Sequence, residues 1–177
     1  MLESGMWLDY VPEAVRECFR EVNLHTLAAG ERAILSKLRT MTDAEFETVP
    51  FGSEGLHRKL MHNARRFANL EDVITATKSK RYTRTRLDRM VMCAYLGITA
   101  EMMASPAPYV RVLAFNDNGR KILRQKRDSF WIVNAGDRID HPYWKLECQA
   151  TNLYGLFASD SPDPPGMEEN RRVVYVR

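Results

Sequence analysis

No apolar run in this 177-residue chain approaches the roughly 20 residues that a membrane span needs, and no charged n-region followed by an apolar stretch opens it. The expectation is a cytoplasmic protein with no membrane partner. Cysteine is scarce: Cys18, Cys93 and Cys148 are odd in number and far apart, which argues against a disulfide framework and leaves buried, reduced thiols. Histidine is scarce too. His25, His57, His62 and His141 do not approach metal-ligand spacing, and His57 and His62, five apart, fall on different helix faces. There is no G-x-x-x-x-G-K-[ST] loop, no G-x-G-x-x-G and no Ser or Cys nucleophile signature. The residues alone assign no catalytic group, no metal and no cofactor to this chain.

What is present is an ordinary folded composition, 45% hydrophobic and 28% charged, long enough for one domain with a real core or two small ones sharing an interface. The periodicity predicts a mainly α protein: a bundle of six or seven short helices, then a small βαβ-α annex with a two- or three-stranded sheet. Val11 to Asn23 forms an amphipathic helix with Val11, Val15, Cys18, Phe19 and Val22 on one stripe, and Gly30 separates it from a second helix burying Ile34, Leu35 and Leu38. Thr42 and Glu45 make a capping box for a third. The turn at 51–55 opens a fourth with Leu56, Leu60, Ala64 and Phe67 inside. Asn69 and Asp72 cap a fifth, and Gly97 closes a sixth.

After Pro108 the period changes. Tyr109 to Phe115 and Phe130 to Asn134 read as strands flanking a short helix over 120–127, which is the minimum for a parallel crossover. A last helix starts near Pro142. Residues 159–166 hold three prolines and little that packs, so a mobile linker is expected, followed by a closing segment that adds an edge strand or stays disordered. The predicted division is a helical unit over 1–103, the annex over 104–158 and the linker with its edge strand over 159–177.

The most unusual stretch is Lys78 to Arg89, KSKRYTRTRLDR. Six basic residues against the single Asp88 give it +5 while the whole chain carries +3, so the remainder sums to −2. Thr83 is a candidate N-cap for the helix that follows, whose stripe is Leu87, Met90, Val91, Ala94 and Ile98. Arginines in a first turn oppose the helix macrodipole, and a helix start ringed by guanidinium groups is suited to anions. Lys78, Lys80, Arg81, Arg86 and Arg89 form the candidate anion surface, with Tyr82 as an aromatic stacker, Thr83 and Thr85 as hydroxyl donors, and Arg84 either packing or pairing with Asp88. The alternative is a solvated basic face. Arg58, Lys59, Arg65 and Arg66 are secondary phosphate candidates, and Gly52 and Gly55 before them either admit a phosphate or simply make a turn and cap.

The runs Glu31 to Met41, Ser53 to Leu60, Lys78 to Met90, Leu96 to Ile98 and Pro108 to Arg120 together resemble the C-terminal part of the bacterial tRNA(Met) cytidine acetate ligase family. Tyr10 to Val15 and Ala150 to Leu156 fit in the same order. That family resembles the HIGH-motif nucleotidyltransferases. The resemblance implies an ATP-dependent ligase that, with Mg and acetate, forms acetyl-adenylate and acetylates the wobble cytidine of elongator methionine tRNA. The histidine-rich phosphate motif and the Ser-x-x-x-x-Arg element have no match here, so the expectation is the tRNA-binding portion of such an enzyme, lacking the nucleotidyltransferase domain and inactive alone. Its expected partners are tRNA and that N-terminal domain. The competing expectation is a structural part whose arginines pair with that domain or with a second copy in a homo-oligomer.

Overall fold

The computed structural model describes residues 6–19 and 24–176, and over them the protein is mainly α-helical with a small amount of parallel sheet. The predicted first helix is reduced to α1 (Glu13–Arg16) followed by a 3-10 turn, Glu17–Phe19. Val15, Cys18 and Phe19 are exposed there instead of forming a buried stripe, and the Val22 end of that prediction lies outside the described residues.

The second helix is longer than its sequence suggests. α2 (Leu27–Thr40) starts at Thr26, whose hydroxyl accepts from the Ala29 N–H, and it runs straight through Gly30. Gly30 was expected as a break, yet it is buried inside the helix because the Phe157 ring lies 2.6 Å from where a Cβ would sit. Close approach by a distant aromatic ring, not backbone freedom, accounts for this glycine.

The remaining helices follow their signals. α3 (Asp43–Thr48) has the reciprocal Thr42–Glu45 capping box. α4 (Leu56–Ala64) follows Gly55 in the left-handed region, α5 (Leu70–Thr77) is capped by the Asn69 side chain, and α6 (Arg84–Leu96) ends on left-handed Gly97. α7 (Ala100–Ala104) is capped by Thr99. Ile34, Leu38, Phe46, Leu56, Leu60, Val73, Leu87 and Met90 fill the space between α2 and α6, each fully buried.

The annex contains the predicted parallel pairing in a divided form. The single expected strand splits at Leu113 into β1 (Val110–Val112) and β2 (Ala114–Phe115). After α8 (Asp117–Lys126), β3 (Ile132–Asn134) pairs parallel with β1, Arg111 opposite Val133. α9 (Pro142–Tyr154) then carries Leu153 and the following Phe157 into the helical core, so the core does not respect a boundary at residue 103. β4 (Val174–Tyr175) pairs parallel with β2.

The expected linker is anchored, because it finds polar partners that its prolines do not reveal. The Ser159 N–H donates to the Leu24 carbonyl at 2.8 Å, His25 lies 2.9 Å from Asp163, and the Gly166 N–H donates to Asn152 at 2.8 Å. Glu168 is 6% exposed. It receives the Arg111 guanidinium and the Thr151 hydroxyl, while Arg111 also binds Glu147 and lies 5.3 Å from the Trp144 ring. Farther on, the backbone passes so close to left-handed Gly136 that the Arg171 carbonyl oxygen is 2.2 Å from the place of a Cβ.

Gly30→Ala is expected to destabilise by about 1–3 kcal/mol through overpacking against Phe157, more than the roughly 1 kcal/mol that alanine gains in helix propensity; urea unfolding measures it. Burial works against the charged form of Glu168, but the Thr151 hydrogen bond and the Arg111 and Arg171 charges outweigh it and hold the carboxyl below its ordinary value. Its stabilisation is therefore complete above that ordinary value, 4.5, and is lost as pH falls through the lowered one. Glu168→Gln should cost about 3 kcal/mol at pH 7 and clearly less in melts near pH 3.

Candidate nucleic-acid interface

The basic turn is positioned by a buried polar rivet at the end of α5. Thr77 is fully buried; its hydroxyl donates to the Val73 carbonyl at 2.6 Å and accepts from Asn63 of α4 at 2.9 Å. Lys59 donates to the Thr77 carbonyl at 3.0 Å, so this predicted phosphate ligand works inside the fold. From that fixed point Lys78 leaves the helix in extended backbone, and Ser79 and Tyr82 exchange backbone hydrogen bonds across a turn that carries Lys80 and Arg81 outward.

Thr83 takes the N-cap position of α6 by its backbone, but its hydroxyl meets the Thr85 hydroxyl at 3.2 Å instead of a helix N–H. The arginines then divide into two kinds. Arg84 forms a bidentate pair with Glu71 of α5 at 2.5 Å, with Asp88 at 3.8 Å, and its hydrogen bonds hold the Glu71 carboxyl below its ordinary value. Arg86 turns inward and donates through Nε and Nη2 to the Phe51 carbonyl at 2.9 and 2.7 Å and to Ser53 at 2.7 Å.

Arg86 therefore braces the 51–55 loop, where Phe51 and Glu54 adopt positive φ of 69° and 57°. His57 braces the same loop from the other side, its Nδ1 donating to the Gly52 carbonyl at 2.7 Å. The Arg86 guanidinium also covers the Tyr82 ring at 5.2 Å, and the Tyr82 hydroxyl donates to Glu54 at 3.1 Å. One face of the expected stacker is already occupied. Arg81 reaches the same Glu54 at 3.0 Å but remains 72% exposed.

Lys78, Lys80 and Arg89 are exposed, and their side chains form no hydrogen bond or ion pair with the described residues, although Lys78 is close enough to help lower Glu71. The secondary candidates have partners of their own. Arg58 lies 3.7 Å from Glu47, Arg65 donates to the Met41 carbonyl at 2.7 Å and sits 3.4 Å from Asp43, and Arg66 lies 5.8 Å from the Phe67 ring. Glu54 and Glu71 are the residues that sequence reasoning missed. Both lie in other elements, and no spacing within 78–89 points to them. Among the described residues no three His, Cys, Asp or Glu side chains cluster as metal ligands, and no helix is long and apolar enough to cross a membrane.

A protein-family model described as HIGH Nucleotidyl Transferase matches residues 3–168. A tRNA(Met) cytidine acetate ligase of Alkaliphilus metalliredigens is 33% identical over 81% of this chain and 37% of its own length. One from Staphylococcus carnosus is 28% identical over 90% of this chain and 42% of its own. In structure the chain resembles Thermotoga maritima TmcAL bound with alpha-thio ATP, at TM-score 0.76 and 23% identity over 98% of this chain and 50% of that one. It also resembles the apo form of that protein, at TM-score 0.80 over 99% and 49%. The chain thus spans about half the length of those solved relatives and about two-fifths of these two curated ones.

The match over 3–168 corrects the expectation of a C-terminal fragment that lacks the nucleotidyltransferase domain. Two absent short motifs do not amount to an absent domain, because the family pattern extends over nearly the whole chain. The inference of inactivity rested on that absence and falls with it, as does a separate nucleotidyltransferase domain as partner.

Arg86→Ala is expected to cost about 1–3 kcal/mol, because the buried side of the Phe51 carbonyl loses its donors. Thermal melts would show the loss, and limited proteolysis should cut first within 51–55.

Proposed function

The chain belongs to the HIGH Nucleotidyl Transferase family, and from that premise we propose that it serves in tRNA(Met) cytidine acetate ligase chemistry and engages the tRNA through the turn entering α6. The observation that carries the reading is the trio Lys78, Lys80 and Arg89, exposed cations left without a carboxylate where neighbouring arginines have one. Phosphate contacts of this kind set register and orientation and do not depend on base sequence. Arg81 joins the trio once an RNA phosphate competes for it with Glu54. Arg84 and Arg86 keep the helix start and the 51–55 loop in place behind the contact.

The names of the relatives support tRNA(Met) as the substrate and ATP as a co-substrate on this reading, with acetate as the acyl source. The magnesium that accompanies ATP would arrive on the nucleotide's own phosphates. The proposal assigns the RNA contact and leaves the acetyl-transfer step to no named residue.

If three phosphates are neutralised, this surface should contribute about −2 to −3 to the log–log salt slope of tRNA binding. The measurement is filter binding of wild type and of Lys78→Glu/Lys80→Glu/Arg89→Glu, with the slope difference read between them. Equal affinities and slopes would overturn the assignment.

A further inference from the structure

α8 presents a second cationic surface that the turn entering α6 does not account for. The segment 117–128 carries five basic residues against two acidic ones; with this segment and 78–89 set aside, the rest of the chain sums to −5. The two segments are therefore locally positive in a chain whose remainder is net negative. In the first, Arg81 and Arg84 have carboxylates within the chain. In α8 and its C-cap none of Arg120, Lys121, Arg124, Lys126 and Arg127 forms an ion pair among the described residues, and all are exposed, Arg120 lying 6.0 Å from the Phe115 ring.

The arrangement is ordered. At 100° per residue Arg120, Arg124 and Arg127 fall at i, i+4 and i+7, one ridge with centres about 6 Å and 4.5 Å apart along the axis. Like charges at this spacing repel and weaken a helix unless something neutralises them. The helix dipole favours Arg124 and Arg127 near its C-terminus but disfavours Arg120 in the first turn, so dipole complementation does not explain the whole ridge.

The ridge ends at aromatic rings. The Phe130 N–H donates to the Lys126 carbonyl at 3.3 Å, which fixes Phe130 and Trp131 at the end of α8. These two are 55% and 50% exposed. Trp131 is held edge-on by Tyr109 at 5.7 Å and His141 at 6.2 Å. A positive track leading to exposed, buttressed rings is the combination that takes an unpaired nucleic-acid strand, phosphates on the cations and bases on the aromatic faces.

We propose that α8 and the Phe130–Trp131 step form a second RNA-binding site, which takes a single-stranded segment. Its partner class follows from the reading above, but its residues lie in a different element, so the two stand or fall separately. The open apolar groove on the inner side of α8, about 650 Å³ beside β1 and β2, would be the natural seat for a protein partner. The ridge is favoured because the unneutralised charge lies on it.

The test uses the full chain, a twelve-residue oligouridylate and bulk bacterial tRNA. Arg120→Gln/Arg124→Gln/Arg127→Gln should weaken both complexes at least tenfold at low salt and make the slope about 2 less negative, with an unchanged melting curve as the folding control. Quenching of tryptophan emission by oligouridylate should disappear in Trp131→Phe. If the glutamine variant binds like wild type while the Lys78/Lys80/Arg89 variant is weakened, this proposal is overturned and the first contact stands. The reverse pattern supports this site and removes the other, and no binding by wild type removes both. A wild-type dimer on gel filtration that the glutamine variant dissolves, with RNA affinity intact, would overturn it in favour of a protein interface.

Discussion

Arg111 is the hinge on which the two halves of the molecule depend. Its guanidinium is 12% exposed, a position that would be strongly unfavourable for an unpaired charge. It is tolerated because Glu147 of α9 and Glu168 of the tail both reach it, with Tyr109 donating to Glu147 and Thr151 to Glu168. Burial and the Glu147 carboxylate together push the Tyr109 hydroxyl well above its ordinary value, so that it stays a donor. The network is cooperative: each member is satisfied only when β1, α9 and the tail are in place together. α9 in turn delivers Phe157 to Gly30, so an ionic cluster in the annex sets a packing requirement in the second helix.

The basic segment illustrates how charge is compensated at a distance. A first turn rich in arginine opposes the dipole of α6, and taken locally it suggests that an external anion must supply the compensation. Part of that compensation is internal. Glu71, thirteen residues earlier on α5, neutralises Arg84, and the Phe51 carbonyl engages Arg86. What remains without such a side-chain partner among the described residues is Lys78, Lys80 and Arg89, with Arg81 paired to Glu54 but exposed. The surface is smaller than the sequence suggests, but it is rigidly mounted through Thr77 and the braced 51–55 loop.

The helices from α3 to α6 were legible because their caps and stripes are local. Thr42 with Glu45, Asn69 with its N–H acceptor role and Gly97 act within a few residues, and periodicity placed Leu56, Leu60, Leu87 and Met90 correctly inside. The failures at Gly30, the tail and the strand over 109–115 are long-range. Gly30 looked like a terminator because the ring it accommodates lies far along the chain, and the tail looked unpackable because Glu168 needs Arg111 to be buried. The strand over 109–115 was recognisable, but its division at Leu113 depends on two partners, β3 and β4, that one strand's pattern cannot specify. In the candidate interface the cations were legible from charge alone. Which of them were already engaged was not, since a carboxylate on another helix leaves no mark at the arginine.

The close crossing at Gly136 gives the tail a single-point vulnerability. With the Arg171 carbonyl oxygen 2.2 Å from the position of a Cβ, even one methyl group there acts as a wedge between β3 and the strand returning to β2. The tail at this point also holds Arg171 against Glu168 and leads into β4, so such a change would strain the strap where it joins the Arg111 cluster. Residue 136 thus latches the C-terminal strap to the annex.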